Sequence, residues 1–180
     1  GPKGVGALYI DNRIPIHPII FGGEQETGLR SGTENVPGIV GFGKAIEIIG
    51  DHFEENMTYL YQLRETTRRR ILEEIDHVRI NGSDNDQEIA PHILSVSFKW
   101  IKGEVLLHFL EQDGIYVSTG SACSSKRKGS HVLSNVGLDD GYIDGTIRIS
   151  FSVFNRENEI DYLLTSLKNH VERLRKIMRR

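Results

Sequence analysis

The spacing of apolar positions changes several times along this chain, and each change predicts a different element. Val5 to Ile10 is a short apolar run following a glycine-rich turn and reads as a strand, ended by a turn over Asp11 to Pro15. Phe21 to Gly43 holds seven glycines and one proline. That density predicts irregular backbone, open to close approach by a ligand or another subunit, or simply a surface loop. From about Pro37, apolar residues recur at helical spacing through Ile46, Ile49, Phe53, Met57, Leu60, Leu63, Ile71 and Ile75. One long helix or two consecutive helices fit, with Gly50 as a possible break. A continuous helix would exceed about 40 Å at ~1.5 Å per residue, enough to link two domains.

The remainder reads as a compact α+β unit. Val78 to Ile80 and Leu94 to Phe98 are expected strands, the second alternating Leu94, Val96 and Phe98 against Ser95 and Ser97. Glu104 to Gln112 is expected to form an amphipathic helix stopped by Gly114. Ile115 to Ser118 reads as a short strand and His131 to Val136 as a short helix. Thr146 to Val153 is the clearest strand. Ile147, Ile149, Phe151 and Val153 lie on one of its faces, and Arg148, Ser150 and Ser152 on the other. A last helix carries the stripe Ile160, Leu163, Leu164, Leu167, Val171, Leu174 and Ile177, with Asn155 as its expected N-cap.

Composition narrows the class. A hydrophobic fraction of 38% with 26% charged residues is ordinary for a globular protein. No apolar run approaches the roughly 20 residues of a membrane span, so no insertion is expected. The net charge of -3 is uneven. Asp84, Asp86 and Glu88 crowd one stretch, while Arg173, Arg175, Lys176, Arg179 and Arg180 crowd the C-terminus, where cations complement the helix dipole without implying nucleic acid. A single cysteine cannot form an internal disulfide and suits a reducing cytoplasm. The opening Gly1-Pro2-Lys3-Gly4 has neither methionine nor signal-peptide pattern; it reads as a chain entered partway, though a tag scar would also leave Gly-Pro.

That cysteine, Cys123, lies in Ser118-Thr119-Gly120-Ser121-Ala122-Cys123-Ser124-Ser125 and is followed directly by Lys126-Arg127-Lys128. Small neighbours keep the sulfur accessible. Adjacent cations favour the thiolate, the form that attacks or carries sulfur. Lone cysteines are usually buried and inert, and here the neighbours favour the nucleophile. Arg148, among serines on the polar face of its strand, has room for a carboxylate held through two parallel hydrogen bonds, or for a surface ion pair. Thr33, in Arg30-Ser31-Gly32-Thr33-Glu34-Asn35, suits a phosphate contact, although Thr33 or Ser31 could equally cap a helix. The histidines at 17, 52, 77, 92, 108, 131 and 170 show no metal-ligand spacing. His108 reads as structural, and His131 closes the cysteine stretch without an assigned role.

Four segments taken in order, Gly1 to Tyr9, Gly28 to Gly38, Ser118 to Cys123 and Ile147 to Ser150, resemble the cysteine desulfurases over essentially the whole chain. These are fold-type I pyridoxal-phosphate enzymes, and the resemblance is to their C-terminal half. It implies an α/β chain in which residues 1–43 end the large cofactor-binding domain, 44–77 form a linking helix, and 78–180 form a small mixed-sheet α+β domain. It further implies that Cys123 takes the sulfur of an L-cysteine substrate held on pyridoxal phosphate, leaving alanine and a persulfide. Arg148 would hold the substrate carboxylate, and Thr33 would reach across a homodimer interface to the partner subunit's cofactor phosphate. The sulfur would pass to an acceptor protein, an iron–sulfur scaffold or a tRNA thiolase, with no direct nucleic-acid contact. Thr119 to Ser130 resembles the longer loop of the subfamily that carries persulfide outward, and Lys126-Arg127-Lys128 could guide an acidic acceptor there. The resemblance also places the cofactor-binding lysine upstream of Gly1, so Lys3 does not take that role and this chain alone is expected to be inactive. Glu24-Gln25-Glu26-Thr27 departs from many relatives, which carry another glycine and an arginine there. Rival readings are a selenocysteine lyase or aminotransferase of the same fold, and a non-catalytic module that dimerises or docks the acceptor.

Overall fold

The computed structural model describes residues 1–83, 85, 88–119, 135 and 137–178. The chain divides into two units, Gly1–Phe53 and Glu54–Arg180.

The N-terminal unit contains a 3-10 turn over Glu26–Gly28 and one long helix, α1 (Val36–Asp51). Proline in the first turn of α1 costs no hydrogen bond there, and the Asn35 side chain accepts the Gly38 N–H at 3.2 Å. Asn35 is therefore the cap, not Ser31 or Thr33. The helix takes in Gly38, Gly41 and Gly43, so the glycine-rich stretch is irregular only as far as Asn35. Two of these glycines act as contact points. A Cβ on Gly38 would lie 2.6 Å from Val5 Cγ1, and one on Gly41 would lie 3.2 Å from Pro2 Cγ. The first residues of the chain thus lie across α1 where it has no side chains. The strand expected at Val5 to Ile10 does not form. A strand needs a neighbour to pair with, the only sheet among the described residues belongs to the other unit, and Leu8 and Tyr9 are 79% and 92% exposed. The turn expected after it is present, closed by Ile14 N–H donating to the Asp11 carbonyl at 2.9 Å.

The expected 44–77 helix is two helices, with α1 ending at Asp51 and α2 running over Phe53–Glu74. His52 leaves helical geometry just beyond the point where Gly50 weakened the pattern. The C-terminal unit then builds β1 (Val78–Asn81), β2 (Ile93–Phe98), α3 (Gly103–Gln112), a single turn α4 (Asp140–Ile143), β3 (Thr146–Ser150) and α5 (Glu157–Met178). The sheet order is β1-β2-β3 and both pairings are antiparallel, so among the described residues the sheet is antiparallel and not the mixed one expected. Leu94, Val96 and Phe98 of β2 and Ile147 and Ile149 of β3 point to one face, as the two-residue period requires. Leu63 and Ile71 of α2, Leu106 and Leu110 of α3, and Ile160, Leu164, Leu167, Val171 and Leu174 of α5 complete the core. Full burial of one such leucine contributes about 2–3 kcal/mol.

Two buried polar groups of α2 are satisfied where they sit. Arg64 Nε–H donates to the Ile93 carbonyl at 3.1 Å, and Thr67 Oγ1–H to the Leu63 carbonyl at 2.7 Å. Gly145 stands just before β3 where its backbone crosses that of Phe98, whose N–H donates to the Gly145 carbonyl at 3.0 Å; a side chain there would collide with the Phe98 carbonyl oxygen. Asn155 does not cap α5. Its side-chain oxygen accepts the Ser152 N–H at 2.8 Å to close the preceding turn, and Glu159 accepts the Arg156 N–H at 3.0 Å. The cap is thus one residue later, closed by the carboxylate half of a capping box.

Candidate functional site

The open face of the sheet positions the candidate chemistry. Ser95 of β2 is paired with Arg148 of β3, and Asn81 of β1 with Ser95. On the outer edge of β3, Ser118 forms an isolated bridge with Arg148: Ser118 N–H donates to the Arg148 carbonyl at 3.1 Å, and Arg148 N–H donates back at 2.6 Å. Partners directly opposite in an antiparallel ladder project to the same face. Asn81, Ser95, Arg148 and Ser118 therefore form one polar row across the sheet, opposite the core. Arg148 is its only charged member and is flanked by a serine on each side. Its side chain is exposed, and no carboxylate among the described residues pairs with it. A guanidinium left open between two small hydroxyls can present its planar fork to an incoming carboxylate. Among the described residues the ion-pair alternative finds no carboxylate partner.

One end of this face is closed by a network of hydroxyls. Asn81 Nδ2–H donates to Ser95 Oγ at 3.1 Å and Ser97 Oγ at 2.8 Å, Ser97 and Thr146 share a hydrogen bond of 2.6 Å, and Thr146 Oγ1–H reaches the Tyr142 carbonyl at 3.2 Å. Ser97 and Thr146 are buried, so the network stiffens the sheet beside the exposed arginine.

The segment leading to Ser118 is short and irregular. α3 ends at Gln112, and Gly114 adopts φ +74, the left-handed stop that a glycine permits. The expected strand over Ile115 to Ser118 is reduced to the single bridge at Ser118. Below this segment lies a cleft of about 360 Å³ between Tyr116 and Val117 on one side, Ser150 and Phe151 on another, and Arg156 and Tyr162 of the α5 end. Cys123, Lys126-Arg127-Lys128 and His131 lie outside the described residues, as does most of the helix expected over His131 to Val136.

Thr33 belongs to the N-terminal unit and Arg148 to the C-terminal one. Thr33 is exposed and follows Gly32 at φ +117. The turn before it is fastened by Ser31 Oγ–H donating to the Gly23 carbonyl at 2.7 Å, Gly32 N–H donating to Gln25 Oε1 at 3.1 Å, and Arg30 donating to the Ser31 carbonyl. The Thr33 hydroxyl makes no hydrogen bond among the described residues and is available to an anion. His108 faces Glu111 at 3.2 Å on an exposed helix surface. No group of side chains able to hold a metal occurs among the described residues.

Two features escaped the sequence. Ser118 as a backbone partner of Arg148 could not be read from spacing, because 30 residues separate them and only the bridge joins them. Asp113 was equally silent. Its carboxylate accepts from Ser166 and from His170, the latter at 2.7 Å, and these donors, Ser166 foremost, hold its pKa below the usual 3.8. Glu159 is likewise held low, first by the Arg156 backbone N–H and then by the Asn155 amide.

Residues 1–163 match the family described as Aminotransferase class-V. Among curated relatives, a cysteine desulfurase IscS of Dictyoglomus turgidum is 40% identical over 178 residues, spanning 98% of this chain and 45% of that protein. A cysteine desulfurase IscS 1 of Archaeoglobus fulgidus is 43% identical over 176 residues, spanning 97% and 45%. Among solved structures, a NifS-like protein superposes with a TM-score of 0.81 at 40% identity, covering 96% of this chain and 43% of that one. A NifS-like protein from Rickettsia africae gives 0.75 at 30%, covering 89% and 41%. The chain spans less than half the length of these relatives.

Proposed function

The chain belongs to the class-V aminotransferase family, and from that membership we propose that it is the C-terminal portion of a cysteine desulfurase that moves sulfur from L-cysteine to a protein acceptor. The observation that carries the reading is Arg148, a guanidinium with no ion-pair partner among the described residues, set between Ser95 and Ser118 at the base of the segment that continues toward the only cysteine. Its fork binds the substrate carboxylate and fixes the amino acid by its least reactive end, leaving the sulfur free to meet Cys123. Lys126, Arg127 and Lys128 favour the thiolate of Cys123. Cysteine plus this thiol gives alanine plus one persulfide. The S–S bond forms as the substrate carbon–sulfur bond breaks, and no outside oxidant or reductant enters.

The family implies pyridoxal phosphate, and the described residues fit one part of it. Thr33, exposed after a left-handed glycine with an unengaged hydroxyl, would hold a phosphate oxygen. When bound, the cofactor supplies the electron sink at the substrate α-carbon. Thr33 would serve the cofactor of the other subunit in a homodimer. The acceptor is an iron–sulfur scaffold or a tRNA thiolase, in the cytoplasm. No helix among the described residues is long and apolar enough to cross a membrane.

The test is alanine release and persulfide mass on Cys123 after supplying L-cysteine and pyridoxal phosphate to the full-length protein, beside this 180-residue chain. Turnover and one added sulfur in the full-length protein, with neither in the short chain, is the expected result. Full turnover by a Cys123→Ser variant would favour an aminotransferase instead, and no turnover at all would favour a silent docking module.

A further inference from the structure

Three side chains of α5 converge on one residue at the end of α3. Tyr162, Ser166 and His170 are four residues apart and stack along one stripe of the helix. Tyr162 Oη–H donates to the Asp113 carbonyl at 3.0 Å, while Ser166 Oγ–H and His170 Nε2–H both donate to Asp113 Oδ2, the histidine at 2.7 Å. The acceptor is a carboxylate, so Nε2 carries the proton. The His170 ring lies 5.2 Å from that of Phe109, which holds Arg173 at 5.1 Å on its face, and the imidazole is only 15% exposed. Both the carbonyl and the carboxylate of Asp113 are thus gripped by a helix that packs into the core.

Helix termination does not require this grip. Gly114 already stops α3, its N–H donating to the Glu111 carbonyl at 3.0 Å, followed by Ile115 N–H to Leu110 at 2.9 Å. The segment beyond Gly114 is the part that needs an anchor. Between Asp113 and Ser118 the chain has no strand partner among the described residues, Tyr116 is 81% exposed, and the cleft lies beneath. Ser118 then holds Arg148 by two backbone bonds, the only ladder bonds between this segment and β3 among the described residues. A two-bond bridge of this kind keeps its register only while both ends of the segment leading to it stay in place.

We propose that Asp113 is a positioning residue for Arg148: clamped by Tyr162, Ser166 and His170, it holds Gly114 to Ser118 in register on the outer edge of β3 and so fixes the backbone from which the guanidinium projects. Its structural half stands on these contacts alone, and its functional half rests on Arg148 being the carboxylate site.

The experiment is site-resolved amide exchange on the full-length protein, comparing Ser118 and Arg148 with the β1–β2 ladder, alongside steady-state kinetics with L-cysteine. In Asp113→Ala, loss of the clamp is expected to speed exchange at Ser118 and Arg148 about tenfold while the β1–β2 ladder stays within about twofold. KM for L-cysteine should rise more than kcat falls. Asp113→Asn keeps oxygen acceptors for the same donors and is expected to restore the parent pattern. Ser166→Ala removes one donor and little volume; a smaller shift in the same direction supports the clamp even if Asp113→Ala fails to fold. Unchanged exchange at Ser118 and Arg148, or equal acceleration across the whole sheet, would overturn the proposal. Should the parent prove inert toward L-cysteine while the exchange pattern holds, the functional reading falls and the clamp remains.

Discussion

The two units of this chain use the same kinds of residue to opposite ends. Every buried hydrophobic side chain among the described residues lies between Leu60 and Leu174, in the C-terminal unit. The N-terminal unit contributes most of the exposed ones, including Ile19, Phe21, Val40, Ile46 and Ile49, and the one buried residue of α1 is a glycine. Three helices and a sheet that bury one another can hold a fold in water; a single helix apolar on several sides cannot. The N-terminal unit therefore contributes surface, and the C-terminal unit supplies its own stability.

The most direct way to break that contrast is to separate the units. Glu54–Arg180 alone is expected to unfold cooperatively on heating, while Gly1–Phe53 alone is expected to show little helix and no transition, since the 16-residue α1 barely exceeds the ~12–15 residues below which even alanine-rich helices are marginal in water, carries several glycines and gains little burial. Circular dichroism with calorimetry decides it, and a cooperative transition in the N-terminal piece would break the contrast. A single pair of substitutions sharpens it within the intact chain. Gly145→Ala places a methyl against the Phe98 carbonyl and is expected to cost more than about 3 kcal/mol in urea unfolding. Gly43→Ala, in α1 with nothing near the new methyl, is expected to stabilise the helix by up to about 1 kcal/mol.

The same contrast explains what could be read from the sequence. The alternation over Leu94 to Phe98, the first part of the strand expected over Thr146 to Val153, which ends at Ser150, and the stripe from Ile160 as far as Leu174, with Ile177 exposed, were legible, because each buries one face and burial imposes a period. The position of Arg148 on the open face was legible for the same reason: β3 has an apolar face, so its other face had to be open. Val5 to Ile10 was misread because an apolar run signals burial without saying against what, and no strand among the described residues pairs with it. The cap at Asn155 was misplaced by one residue because both Asn155 and Glu159 can satisfy N–H groups there, and the asparagine closes a turn instead. Asp113 left no trace, since its donors lie 53 and 57 residues away.

The two candidate site residues that are described, Thr33 and Arg148, divide along the same line, one in each unit. In the full-length protein, Arg148→Ala is expected to raise KM for L-cysteine about thirty- to hundredfold, the worth of a bidentate charge-assisted pair, with unchanged urea stability because the guanidinium has no internal partner among the described residues. Arg148→Lys should recover part of the loss. Thr33→Ala removes a single neutral hydroxyl and is expected to weaken pyridoxal-phosphate retention only about five- to tenfold, read by equilibrium dialysis. A larger effect at Thr33 than at Arg148 would reverse the assignment of substrate recognition to the C-terminal unit.

Acid gives the smallest effect and the finest version of the comparison. Asp11 in the N-terminal unit and Asp113 in the C-terminal unit both have pKa values below the ordinary 3.8, Asp11 through the side chain and then the backbone N–H of Arg13, Asp113 through Ser166 and then His170. A depressed folded-state pKa contributes stability that is fully present above the unfolded-state value and is lost as pH falls through the folded one. That contribution exists only if the unfolded chain lacks the interaction. Arg13 is two residues from Asp11 and remains beside it in any conformation, so the Asp11 shift is largely shared by both states and cancels. The donors of Asp113 come from another helix and disperse on unfolding, so its shift counts in full. Urea unfolding followed from pH 6 down to about pH 3 should therefore show a shallower acid limb in Asp113→Asn than in the parent and an unaltered limb in Asp11→Asn. Equal flattening by both variants would mean that the two carboxylates are tied to folding alike, and the distinction between locally held surface and tertiary clamp would fail at its most sensitive point.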